Sequence, residues 1–156
     1  MIVTSNSVEH NYTIPSVTVV GDVDGFENVA ERVEIYLNSS TTFDHTYETT
    51  IVDENMVSVA STVTESKTVK EFTQFGVDLS TSGLTAESFT AWGDLEEDQV
   101  LQWAFAADAD EKTRIQNEQE AKVLEAKDKV LNPKKYQRDT PVTPWRARAD
   151  AESVAE

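Results

Sequence analysis

The sequence predicts an α+β protein: an antiparallel β-sheet (meander) of about four to six strands, then one or two helices, then an extended C-terminal arm. Three observations carry this. Short runs of β-branched residues alternate with polar ones through the first half and are separated by turn clusters. From Glu111 to Leu131 strong helix formers follow one another without Gly or Pro. The charge also divides the chain, since residues 1–110 hold 20 acids and only three bases, Arg32, Lys67 and Lys70, whereas residues 111–156 hold nine acids and ten bases.

Taken in order, Tyr12–Val20 is rich in β-branched residues, and Pro15, which lacks an amide donor, belongs at a strand start or an edge. Gly21-Asp22 and Asp24-Gly25 read as turns. Val33, Ile35 and Leu37 alternate with Arg32, Glu34 and Tyr36 until Asn38-Ser39-Ser40 breaks the pattern. Tyr47, Thr49 and Ile51 alternate next, up to Asp53-Glu54-Asn55. Val57, Val59 and Val63 then repeat the period, and Phe72–Leu79 forms a further strand ended by Ser80-Thr81-Ser82-Gly83. Asp94, with Glu97 three residues on, reads as a helix cap. Behind it Val100, Trp103, Ala104 and Ala107 form an apolar stripe. Asp108-Ala109-Asp110 ends that helix or caps the next. The second helix carries a thin stripe of Ile115, Val123, Leu124, Val130 and Leu131, so it packs lightly on the body or leans on another chain. Asn132-Pro133 stops it. These features divide the chain into an acidic β-rich body with the first helix (1–110), a charged amphipathic helix (111–132) and an extended arm (133–156).

Composition excludes several functions. The net charge of -16 opposes nucleic-acid binding and docking on anionic lipid, both of which need clustered Lys and Arg. Cysteine is absent, which removes disulfides, thiolate catalysis and Cys-type metal sites. No apolar run reaches the ~20 residues that span a bilayer, and Met1–Asn6 shows no signal-peptide pattern. A soluble protein is therefore expected. Its apolar content of 38% is below the ~45–50% usual for globular chains, which predicts a small core with some chain outside it.

The candidate chemistry is thin. His10 and His45 are the only histidines. His45, beside Asp44 and three residues before Glu48, could imitate a metal site or a dyad, but both histidines read as solvated loop or strand-edge residues. Asp22-Val23-Asp24-Gly25 meets a calcium-loop spacing only in part, and an acid at its twelfth position is missing. No G-x-S-x-G turn and no phosphate-binding Gly-rich loop occurs. No catalytic, cofactor-binding or metal-binding residue is therefore expected, and no cofactor. Among the tryptophans, Trp103 reads as core and Trp92 as closing the sheet where the helix begins. Trp145 reads as an aromatic anchor, held extended by Pro141 and Pro144.

The order of motifs adds a resemblance. Gly25-Phe26-Glu27-Asn28-Val29 leads into an alternating strand, Leu95-Glu96-Glu97-Asp98-Gln99-Val100-Leu101-Gln102-Trp103 opens a helix, and Asn132-Pro133 precedes Pro141-Val142-Thr143-Pro144-Trp145. This resembles a family of small tailed-phage proteins, notably of marine phages and cyanophages, in which an LTEExVxxW-like helix start is paired with an NP…PW ending. The chain departs from that pattern at Glu96, where many relatives have Thr, at Thr143 before Pro144-Trp145, and in the eleven residues after Trp145. The resemblance implies a phage protein and brings no activity with it.

The expectation is a non-enzymatic virion structural protein, first of all a capsid decoration or minor capsid protein, made in the host cytoplasm and located in the virion. Trp145, Pro144, Pro141, Arg138, Arg146, Leu124 and Leu131 are its expected partner-binding residues. Lys134, Lys135 and Arg148 add charge suited to an acidic groove. Its partners would be capsid or tail subunits or further copies of itself, with neither nucleic acid nor membrane among them. Two alternatives are a tail, neck or fibre-adaptor component and a soluble acidic host-interaction protein that imitates DNA.

Overall fold

The computed structural model describes residues 1–138 and 141–155. Four strands form one antiparallel sheet in chain order: β1 (Ile2–Ser5), β2 (Val8–Val23), β3 (Phe26–Val52) and β4 (Ser58–Asp78). Helices follow as α1 (Glu97–Ala107), α2 (Ala109–Leu131), a single turn α3 (Pro133–Tyr136) and α4 (Pro144–Ala155). This is the α+β meander that the alternation predicts.

The first two hairpins are closed by pairs of residues at positive φ. Asn6 (φ 48) and Ser7 (φ 64) turn β1 into β2, while Asp24 (φ 52) and Gly25 (φ 87) turn β2 into β3. Both central residues are left-handed in each, the type I′ geometry that matches strand twist. Gly21-Asp22, by contrast, lies inside β2 and not in a turn. At the far end the Asp53 carboxylate accepts from the Asn55 and Val57 amides at 2.8 and 2.9 Å. Pro15 sits at an extra residue in β2, where the register to β3 shifts between Thr13 and Ser16. Because β1 pairs only with residues 8–11, this stretch of β2 is also an edge, as a donor-less residue requires.

The strands are longer than the pattern predicts. Asn38-Ser39-Ser40 does not break β3, which pairs with β4 without interruption from Arg32–Asp78 to Val52–Ser58. Ser39 is fully buried, so the polar run is part of the core face and not a loop.

The helices cover one face. Val33, Ile35 and Leu37 of β3, Tyr12 of β2 and Val77 of β4 pack against Val100, Leu101 and Ala104 of α1 and Ile115 of α2. Phe105 meets Tyr12 edge-on at 4.9 Å between ring centres. Trp103 and Leu95 are half-buried against the same cluster. The opposite face is open and mostly polar, with Arg32 bridging Glu34 and Asp78 at 2.9 and 2.7 Å and Tyr36 meeting Phe72 at 5.1 Å between ring centres. A meander buried on one side has this composition.

Two helix expectations need correction. Helix α1 starts at Glu97 after an extended Glu96, and Asp94 belongs instead to a 3₁₀ turn, Trp92–Asp94. Leu95 packs on the core between the two, and that packing moves the start downstream. Asp108 does cap α2, accepting from the Glu111 amide at 3.3 Å. In the arm, residues 144–155 are helical and not extended. Pro144 takes the first helical position, where its missing N–H costs nothing, and Ala147, Ala149 and Ala151 favour continuation. Of the arm, residues 139, 140 and 156 lie outside the described residues.

Candidate functional site

Helix α2 does not merely lean on the body. Its buried residues are Ile115, Gln119, Glu120 and Val123, so its inner face is apolar at the ends and polar between them. That polar middle meets a polar spot on the sheet. His10, fully buried, makes a hydrogen bond of 2.8 Å between Nδ1 and the Ser39 hydroxyl, and its Nε2 lies 3.3 Å from the Glu120 carboxylate. The Asn6 side chain donates to Glu120 at 2.5 Å. One helical turn earlier, Tyr12 donates to Gln116 at 2.6 Å. The hydrogen bonds from Asn6, Ser5 and His10 hold the Glu120 carboxyl below its ordinary value of 4.5. Burial drives the Tyr12 phenol well above its ordinary range.

His10 is therefore not the solvated residue the sequence reading expects. The available signal is its place in the alternation, because Val8, His10 and Tyr12 share one face of β2 and all three are buried. Ser39–His10–Glu120 has the connectivity of a hydrolytic triad, yet the Ser39 hydroxyl has no exposed surface, and a nucleophile must reach substrate. Its chemistry here is to join a helix to a sheet. His45 is half-buried and stacks beside Tyr47 at 5.3 Å. Among the described residues, no three His, Asp or Glu side chains are placed to hold a metal ion. No described helix is long and apolar enough to cross a membrane.

Two exposed surfaces and one cavity remain. The first surface is a ribbon. Lys127 of α2 stands 5.5 Å from the Phe43 ring, and α2 ends four residues later, at Leu131. Strands β3 and β4 continue as a two-stranded ribbon through Val52 and Ser58, roughly 30 Å beyond Phe43 at ~3.3 Å per residue. The two faces of the ribbon differ. One carries threonines paired across the strands, Thr42–Thr68 and Thr46–Thr64, each at 2.8 Å. The other continues the core face and carries Tyr47 opposite Val63 and Ile51 opposite Val59. Ile51 is 51% exposed.

The second surface is the C-terminal helix. Trp145 is 68% exposed, and Pro141, Val142, Pro144, Arg146 and Arg148 are exposed with it. Arg138 is exposed before it. Leu124 is half-buried on α2 and Leu131 is exposed at its end. The seven expected partner-binding residues thus fall in two groups: Leu124 and Leu131 on a helix seated on its own sheet, the other five in the C-terminal segment. Between them, Asn132, Lys135 and Tyr136 converge on Asp128 and fold α3 back against α2.

The cavity, of about 420 Å³, lies between α1, the start of β3 and the connection that follows β4. Val29, Leu79, Leu84, Phe89, Leu95 and Trp103 make its apolar wall, and Asn28, Ser88 and Thr90 contribute polar groups. Phe89 stacks on Phe26 at 4.7 Å, and Gln99 donates to Thr90 at 3.0 Å, which fixes the connection over the cavity. Sequence reasoning missed this site because Ser80–Gly83 looked only like a strand end. Trp92 lies outside the sheet in the 3₁₀ turn and is half-exposed.

The class defined by these features is a one-sided antiparallel meander with a helical layer, a projecting ribbon and an exposed C-terminal helix that opens with Trp145, Arg146 and Arg148. No protein-family model, curated protein or solved structure matches the chain.

Proposed function

We propose that this protein is a non-enzymatic structural subunit of a tailed-phage particle. One observation carries the proposal: the apolar face of the sheet outruns the helices that cover it. A two-stranded ribbon is marginal in water by itself, and one with Tyr47, Ile51 and Val59 turned outward is suited to burial against a neighbour. The exposed Trp145 helix offers a second attachment point. The phage assignment rests on the LEEDQVLQW and NP…PW motifs. Support for the non-enzymatic reading comes from the burial of Ser39 and His10.

Mass spectrometry of purified particles with copy counting tests this. A decoration or minor capsid protein is found in many copies. A tail, neck or fibre-adaptor protein is found as one ring's worth. Absence from particles, with salt-sensitive capture of a basic host protein, overturns the structural reading.

A further inference from the structure

The geometry points to an occupant for the cavity: Trp145, with Pro144, of a second copy of this chain. This rests on the structural-subunit reading and names the partner of the C-terminal helix. Three observations meet here. The first is room. A protein cavity of about 150 Å³ accepts a benzene ring, so 420 Å³ has space for an indole and a proline ring. The second is chemistry. The wall holds Phe89 and Trp103 among aliphatic side chains, and aromatic pairs gain from edge-on or offset packing beyond their buried area.

The third is charge. Between Lys70 and Lys112 the chain has no Lys or Arg, while Glu87, Asp94, Glu96 and Asp108 flank the lining residues in sequence. Trp145 is followed by Arg146 and Arg148, and residues 141–149 contain no acid. The start of the helix, next to Trp145, therefore brings two cations to a rim of anions as the ring enters an apolar pocket, and the acids Asp150 and Glu152 lie further along the helix. A buried aromatic anchor within a polar, charged rim is the usual energetic layout of a protein interface. The ribbon offers a rival acidic surface, since residues 44–66 also lack Lys and Arg. It presents a stripe rather than a pocket, and a single indole buries far less of itself on a stripe.

A tail that enters a different site on the next copy makes a head-to-tail contact. Such contacts close into rings or run on as filaments. They suit a subunit present in repeated copies.

The test uses the full chain. A labelled peptide of residues 141–155 is titrated against the Trp145→Ala protein, whose own tail can no longer compete. Saturable binding is expected, weakening as salt rises. It should fall at least ~10-fold when the peptide itself carries Trp145→Ala. Ala107→Phe, which pushes a ring into the cavity, should block it. Circular dichroism checks that this variant folds, and if it does not, Ala106→Leu replaces it. In sedimentation the wild type should associate as concentration rises and the Trp145→Ala protein should stay monomeric. Three outcomes overturn the inference: no peptide binding, equal binding to the plugged protein, or a wild-type monomer whose Trp145 fluorescence is already that of a buried ring. None of these removes the protein from particles, so the function in the preceding subsection stands or falls on the copy count alone.

Discussion

His10 decides how the helical layer is held. Its ring spans from Ser39 on the sheet to Glu120 on α2, and a buried donor or acceptor left without its partner costs about 1–3 kcal/mol. His10→Ala should therefore destabilise by about 3 kcal/mol, from the lost ring packing and the two orphaned partners together. The triple change His10→Leu, Ser39→Ala, Glu120→Leu should cost less than the single one, because it removes every buried polar group at once. Denaturant unfolding of both variants checks this ordering. Glu120 sets a pH dependence. Its native pKa is lowered, so its contribution is complete above the ordinary value of 4.5 and is lost as pH falls through the native value. Unfolding free energy should accordingly drop below about pH 4.5, and Glu120→Gln should flatten that drop. A fluorophosphonate probe should leave Ser39 unlabelled in the folded protein, and labelling there would show that the site opens to substrate. The burial of His10 was legible in part, since the Val8-x-His10-x-Tyr12 spacing places it inward. Its partners were not legible, because Ser39 and Glu120 lie 29 and 110 residues away, and one sequence does not pair positions at that distance.

At the scale of elements, the alternation gave the right fold class and the wrong strand lengths. Asn38-Ser39-Ser40 resembles a turn because three polar residues follow one another, whereas in the sheet Ser39 turns inward to His10 and Asn38 turns outward. The stripe on α2 looks thin for the same reason: Gln119 and Glu120 belong to its buried face, but apolar periodicity counts them as solvent. Polar residues that find partners inside are invisible to a pattern that sorts by hydrophobicity. The ribbon was legible as alternating strands and not as a projection, because exposure depends on where α2 stops. Its expected behaviour follows from its lack of cover. In the free protein, amides 45–52 and 58–65 should exchange with solvent far faster than amides 33–41, which lie under the helices. Mass-resolved hydrogen exchange on free and particle-bound protein checks this, and the ribbon should gain protection only in the particle. Equal protection of ribbon and covered sheet in the free protein would mean that the ribbon needs no neighbour.

Across the whole molecule the residues that bury apolar surface are separate from the exposed C-terminal helix, to which the proposed function assigns attachment. Folding is served by residues up to α2: the core cluster ends at Ile115, Val123 closes the helix contact, and none of the described residues from 141 to 152 is buried. Charge divides the chain elsewhere, since residues 1–110 hold 20 acids and three bases whereas residues 111–156 hold nine acids and ten bases, five of them on α2. A segment that buries nothing in its own subunit adds little to that subunit's unfolding free energy, because stability comes from burial that outweighs ordering entropy. Deleting residues 141–156 should thus leave the unfolding free energy within about 0.5 kcal/mol of the full chain. The denaturant slope, which reports surface exposed on unfolding, should barely change. The same deletion should abolish attachment to particles. The two readouts must be taken together. A shortened chain that is stable and unattached assigns the tail to assembly, whereas one that loses more than ~1 kcal/mol assigns it to the fold. Stable and still attached, it would leave the ribbon as the contact that holds this subunit in place.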